Sequence, residues 1–450
     1  VKAVSSTLPM WHILRKAISK TSAGGTVVIN GEIKATDAGG NNGEITIGKS
    51  LTIEKADGAN AAVINANKNN LSNGNKDRLF KVESGKTLTL KNLTLKGGMR
   101  PTGGGAAGIF VDSGAAASLT DCRIIDCVNK SGEGGAVYTK GTLSLTRGSI
   151  GGTGPQEGNE ARYGGGIYVA SGSCTLTGTK ILKNYADGGT SSSSEGKGGG
   201  IYVAQGGTCS LYDVDTMKDN TVKNGSPNKG AGAGIYVESG GICNIAGGTK
   251  IDEANDVYLA KSTDVPYDSS KNAKITVTAS LTGTHTVAKI TPEDYTAGVA
   301  AVNAASGVDI SGYAGRFKIT DQNIISPLST VPWKLRCNSN NTLVLKANVP
   351  ITVNGTDPNA WKTLKEAIEA ESVEDDDEFI IIGTIKATNV PGNSGEITVR
   401  KNITVKGDGT TPILNANSNG TNRPPTPHRI FTVEDGGELT IENLTLKGGN

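Results

Sequence analysis

Asp213-Val214-Asp215, followed by Lys218, places two carboxylates on one face of an extended strand, because side chains at i and i+2 point the same way. Paired acids beside a cation are what acid–base cleavage of a sugar chain, or calcium binding, requires. Such a site needs acids on neighbouring segments too, and the related strands read Ser144-Leu145-Thr146 and Thr175-Leu176-Thr177. The pair is therefore expected to be a solvated strand face. His12, His285 and His428 stand without an acid or cysteine at a triad or metal spacing, so each is expected at the surface or in packing. Glu374-Asp375-Asp376-Asp377-Glu378 reads as a solvated acidic loop, at most an incidental cation site. No HExxH, EF-hand or phosphate-binding loop is present, and Gly132-Glu133-Gly134-Gly135 reads as a turn. These residues predict no catalytic group, no metal and no cofactor.

Cys174, Cys209 and Cys243 follow the isoleucines of three similar blocks by 7, 8 and 8 residues, and Leu143 takes that place in the block before. A column of buried free thiols acting as small apolar groups is expected. Cys122 and Cys127 are near enough in sequence to bridge, and Cys337 has no evident partner. The same blocks carry an aromatic between two aliphatics: Phe110, Tyr138, Tyr168, Tyr202 and Tyr236. If the aliphatic pair faces inward, the five rings form an outward column able to stack on sugar rings or anchor a partner protein. The alternative is that they stack on one another beneath loops such as Gly188 to Gly196.

The elements that hold these residues follow from two nested repeats. The short one aligns Gly108-Ile109-Phe110-Val111, Ala136-Val137-Tyr138-Thr139, Gly166-Ile167-Tyr168-Val169, Gly200-Ile201-Tyr202-Val203 and Gly234-Ile235-Tyr236-Val237, at spacings of 28, 30, 34 and 34 residues. Each block leads through a glycine turn to a second strand, such as Thr142-Leu143-Ser144-Leu145, and then to a third ending near an asparagine, such as Ile181-Leu182-Lys183-Asn184. Three short strands in ~30 residues make one coil of a solenoid, which can bury its inward face only by stacking on its neighbours. The long repeat returns the Trp11 to Ile18 segment at Trp361 to Ile368, 350 residues on, and Asn92-Leu93-Thr94-Leu95-Lys96-Gly97-Gly98 unchanged at Asn443 to Gly449. Trp11, Leu14 and Ile18 fall on one face of a helix suited to covering the open end of a solenoid. Asp357-Pro358 reads as the N-cap and first turn of the second helix.

The expected fold is all-β: a right-handed parallel β-helix with short N-terminal capping helices. Residues 1–255 would hold a capping helix and regular coils, 256–349 irregular coils or a β cap, and 350–450 the start of a second unit in a tandem array of ~351-residue repeats. Composition agrees, since glycine accounts for 63 of 450 residues and aromatics for 4%. A net charge of +2, without a basic stripe, gives no sign of nucleic-acid binding. No apolar run nears the ~20 residues that span a bilayer, so no direct membrane insertion is expected. The opening Val1-Lys2-Ala3-Val4-Ser5 is not a signal peptide, which places any targeting or anchoring segment outside this chain.

The Gly-Gly-Ala-Val and Gly-Gly-Gly-Ile-Tyr-Val blocks resemble the polymorphic outer-membrane protein repeats, with Ile181-Leu182-Lys183-Asn184 and Met217-Lys218-Asp219-Asn220 standing where that family has a Phe-x-x-Asn motif. The Trp-x-x-Leu-x-x-Ala-Ile helix and the strand after it (Gly31-Glu32-Ile33, Gly383-Thr384-Ile385) are similar to pectin-lyase-like surface proteins of spirochaetes. The resemblance implies a secreted, outer-membrane-associated adhesin, stalk or filament on the bacterial surface. It would be non-enzymatic, would meet a host or neighbouring-cell protein or glycan, and would self-associate end to end. The alternative is a carbohydrate-binding or polysaccharide-degrading β-helix protein.

Overall fold

The computed structural model describes residues 9–449 apart from 102–103, 190–194, 224–230, 321–332, 348–349, 371–372, 374, 376, 418–421 and 427. Its contacts divide the chain into two compact units, Val1–Lys346 and Ala347–Asn450.

The first unit is a right-handed parallel β-helix. A single coil shows how it is wound. Ala116–Thr120 joins a twelve-stranded sheet, Arg123–Ile125 a seven-stranded one, Val128–Glu133 a four-stranded one and Val137–Thr139 a ten-stranded one. The chain then returns as Thr142–Thr146, parallel to Ala116–Thr120 and in register with it. Parallel strands sit ~4.8 Å apart, so each residue meets its counterpart one coil on. Leu119, Leu145, Leu176, Leu211, Ile245 and Val277 consequently form one inward column, all buried. Each such side chain contributes ~1.5–3 kcal/mol on leaving water. The sharp corner before each aromatic strand is made by Gly134, Gly164, Gly198 and Gly232, with φ of +71°, +61°, +65° and +67°. A Cβ at Gly134 would lie 2.4 Å from the Val137 carbonyl oxygen, so the corner admits no side chain.

Helix α1 (Met10–Lys20) buries Trp11, Leu14 and Ile18 in this core. Its N-terminus has no local side-chain cap. Instead Asn41 Oδ1, thirty residues away, accepts from the Trp11 and His12 backbone amides at 2.8 and 3.1 Å. Trp11 Nε1 donates to Gly43 O at 2.9 Å.

The coils continue from residue 256 to 320. Val257–Leu259, Ala288–Pro292 and Phe317–Ile319 extend the ten-stranded sheet, and Lys274–Leu281 and Ala300–Ala304 extend the twelve-stranded one. The seven-stranded sheet ends at Thr216–Lys218, which is why the triplet pattern fades from the sequence there. Parallel stacking stops where Thr342–Ala347 runs antiparallel to Ala300–Ala304.

The second unit repeats the opening of the first. Helix α2 (Ala360–Glu369) buries Trp361, Leu364 and Ile368, and Trp361 Nε1 donates to Gly395 O at 2.9 Å. The helix begins two residues later than Asp357-Pro358 suggests, with Asn359 at the cap position. Asp357 acts from outside it: Oδ1 accepts from the Asn359 amide at 2.9 Å and Oδ2 from the Thr363 hydroxyl at 3.1 Å. A five-stranded parallel sheet and the pair Ile397–Val399 with Phe431–Val433 complete this unit. No helix among the described residues is long and apolar enough to cross a membrane.

Candidate functional site

The four-stranded sheet is the part of the β-helix where ionisable groups gather. It consists of Val128–Glu133, Glu160–Tyr163, Tyr185–Asp187 and Thr221–Lys223. A buried ladder of asparagines at the preceding corner sets its register. Asn159 Nδ2 donates to Asn184 Oδ1 at 2.8 Å, Asn184 Nδ2 to Asn220 Oδ1 at 2.9 Å, and Asn220 Nδ2 to Asn255 Oδ1 at 2.7 Å. Each of these three amides also donates to a backbone carbonyl, of Ile124, Ile150 and Ile181 respectively. Satisfied amides buried at a corner hold one geometry, because any other leaves polar groups unpaired. The residue after each asparagine therefore emerges at the same height, and Glu160, Tyr185 and Thr221 stand in one row.

Beside that row lies a groove of about 340 Å³ lined by Lys68, Asp126, Glu160, Lys183 and Tyr185, with Pro155 and Gln156 on one wall. Lys68 reaches in from an earlier coil to pair with Asp126 at 2.5 Å. Lys130 lies 3.9 Å from Glu160, and Lys223 lies 3.8 Å from Asp187. Burial pushes the Glu160 carboxyl above the ordinary carboxylate range, against the pull of Lys130 and with a further push from Asp187. Burial and the same two acids raise the Tyr185 phenol to about 12. Asp187 Oδ1 accepts from the Gly189 amide at 2.8 Å. Glu160 and Asp187 sit on adjacent strands and two residues apart in register, ~8 Å by strand spacing and rise. Two carboxyls on adjacent strands, one of them pushed up by burial, are a pairing that acid–base chemistry can use.

The expected aromatic column forms, and it runs one ring further than the sequence blocks indicate. Phe110, Tyr138, Tyr168, Tyr202, Tyr236 and Tyr258 stack with centroids 5.2, 5.3, 4.8, 4.9 and 5.1 Å apart. The rings lie outside the inward Ile/Val pair, yet Tyr202 and Tyr236 are only 5% and 6% exposed. Strand spacing equals stacking distance, so each ring covers the next. The faces on which a sugar would lie are occupied by neighbouring rings, and what remains open is ring edges. Arg78 closes the Phe110 end at 4.9 Å, Lys197 sits 4.9 Å from the Tyr236 ring, and the Tyr202 hydroxyl donates to Glu238. Of the loop Gly188 to Gly196, residues 190–194 lie outside the described residues.

Asp213 and Asp215 do not share a strand face. The strand ends at Tyr212, and Asp213 takes a left-handed φ of +49° at the corner, where its Oδ1 accepts from the Gly248 amide at 2.6 Å. Asp215 pairs with Lys180 at 3.0 Å. His285 Nε2 meets Thr249 O at 3.1 Å, His428 lies edge-on to Trp361, and His12 stands on α1 near Gly40. In the acidic run, Glu374 and Asp376 lie outside the described residues, while Asp375 accepts from the Asn402 amide and Glu378 pairs with Lys406. Cys174, Cys209 and Cys243 stack directly and are fully buried, and all six cysteines are free thiols.

The reactive cluster was hidden from sequence reading because its members come from five separate stretches of chain. Glu160 and Tyr185 fall just after the asparagines that close each coil's third strand, and that spacing was the available signal.

No protein-family model matches the chain, and no curated protein matches it. A solved structure of a mutant PL6-family alginate lyase is similar at 9% identity, with 96% of this chain and 70% of that one covered and a TM-score of 0.20. The expectation that the chain is not an enzyme is withdrawn. Outward acids spanning neighbouring coils, whose absence supported that expectation, are present at Asp126, Glu160 and Asp187.

Proposed function

We propose that this chain is an extracellular carbohydrate-active β-helix protein that holds a polysaccharide strand across the four-stranded sheet and cleaves it. The observation that carries the reading is Glu160, a half-buried carboxyl held above its usual range beside Asp187 and ringed by Lys68, Lys130 and Lys223. Glu160 protonates the leaving glycosidic oxygen. Asp187, held by Lys223 and the Gly189 amide, draws a proton from water on the other side of the bond. Lys183 at the groove wall, which has no acid partner among the described residues, favours a glycan carrying acidic groups.

The test is depolymerisation of a panel of neutral and uronate-containing polysaccharides, read as new reducing ends. One class is shortened by the native chain, and Glu160→Gln lowers that rate by ~100-fold or more while binding persists. A native chain that neither binds nor shortens any member of the panel ends the reading.

A second reading concerns the scaffold. Both units open with the same junction, in which a helix tryptophan donates to a glycine carbonyl, Trp11 to Gly43 and Trp361 to Gly395. This supports a tandem surface array of ~351-residue units, such as the resemblance to outer-membrane and spirochaete repeats implies, with the groove recurring along a stalk. Electron micrographs of the full-length protein would display a rod that lengthens with unit number; a globular particle would refute it.

A further inference from the structure

Between α1 and the first coil of the β-helix lies an open groove of about 900 Å³, lined by His12, Arg15, Lys16, Ser19, Thr46 and Lys49. His12, Arg15, Lys16 and Ser19 fall at i, i+3, i+4 and i+7 and so share one face of the helix. Lys49 closes the far end, its Nζ donating to Ser19 O at 2.6 Å. Arg15 reaches the Asn42 carbonyl at 3.3 Å. Glu83 approaches the Gly48 end, and Glu44 is engaged by Arg78 at 2.9 Å. Among the described residues Arg15, Lys16 and Lys49 form no ion pair.

The second copy gives an internal comparison. Lys362, Lys365, Glu366 and Glu369 take the places of His12, Arg15, Lys16 and Ser19. There the cations are neutralised within the helix, Lys362 by Glu366 at 3.8 Å and Lys365 by Glu369 at 3.5 Å. Glu369 also accepts from the Thr398 amide at 2.8 Å, and Thr398 is the counterpart of Thr46. The same helix-to-coil junction is thus built twice, once with carboxylates of its own helix beside the cations and once without them.

We propose that the groove beneath α1 binds a linear anionic polysaccharide, whose carboxylates or sulfates take the places that Glu366 and Glu369 fill in the second copy. The cations run from Arg15 and Lys16 to Lys49 at the Ser19 carbonyl, ~6 Å along the helix, rather than converging on a point, which suits a row of charges better than one compact anion. Lysine stems and the Ser19 and Thr46 hydroxyls offer the mixed apolar and polar contacts that a sugar chain presents in turn. This site shares no residue with the sheet groove, and it stands whether or not that groove is catalytic.

The experiment titrates the full chain with dextran sulfate, with uncharged dextran and with poly-glutamate, and maps lysine acylation by mass spectrometry with and without each polymer. Dextran sulfate binds and protects Lys16 and Lys49, while uncharged dextran does neither. The doubly substituted variant Lys16→Glu, Ser19→Glu copies an arrangement the second unit already folds with, and it binds dextran sulfate at least tenfold more weakly. That variant keeps whatever cleavage the sheet groove performs, so failure of the two readings is separable. The proposal is overturned if the native chain does not bind, if Lys16 and Lys49 stay reactive in the complex, if the variant binds equally well, or if poly-glutamate binds as tightly as the sulfated glycan.

Discussion

Glu160 and the cysteines behave oppositely although burial acts on both. For Glu160 burial holds the proton where a donor can use it, so activity falls as pH rises through its elevated pKa, at a pH above the ordinary carboxylate range. The stability contribution has the same sign: it is fully present below the unfolded-state value and is lost as Glu160 ionises. Glu160→Gln should therefore fold at least as stably as the native chain at pH 7, which thermal denaturation checks, so that lost activity is not lost structure. For the thiols burial removes the nucleophile. Cys122 is pushed up to about 11 and Cys127 to about 12, Cys209 is raised by the Cys174 thiol and by burial, and Cys243 by burial and the Cys209 thiol. Only Cys337 is partly exposed. Native alkylation at pH 8 should label Cys337 first and spare the other five until the chain unfolds; early labelling of Cys209 would contradict the buried column.

Element by element, the corners carry the specificity and the strands carry the burial. A strand residue such as Leu176 is replaceable by another aliphatic of similar volume, since the column asks only for apolar volume. Asn184 is not. It gives two hydrogen bonds through Nδ2, and its Oδ1 accepts two from Asn159, all buried. Asn184→Ala leaves the Ile150 carbonyl and Asn220 Oδ1 short of a donor and should cost ~2–4 kcal/mol, measured by denaturant unfolding. It should also lower cleavage beyond its effect on stability, because the asparagine ladder positions Glu160 and Tyr185. Equal activity per folded molecule would separate the ladder from the site. The inward strand faces and the stacked blocks were legible in the sequence, since like residues recur at coil spacing. The cap on α1 was not legible, because Asn41 is thirty residues from the amides it satisfies.

On the scale of the molecule, each unit has its own core, one built around Trp11 and the other around Trp361. Calorimetry should therefore resolve two transitions. Trp361→Ala should destabilise one of them by ~3–5 kcal/mol and leave the other in place, and Trp11→Ala should do the converse. A single transition displaced by both substitutions would mean that the units unfold as one.

The sequence by itself determined the solenoid, its aromatic and thiol columns and its repeated opening, because in a β-helix residues one coil apart are neighbours and repetition in the chain becomes contact in space. It also pointed to Asp213 and Asp215, and the structure turned them apart at a corner. Only the tertiary structure brought the acid cluster together. Lys68, Asp126, Glu160 and Tyr185 belong to no motif, and a groove gathers them with Lys183 from several coils where burial raises the Glu160 pKa. Desolvation and the field of neighbouring charges depend on positions in space, and no spacing along the chain encodes them.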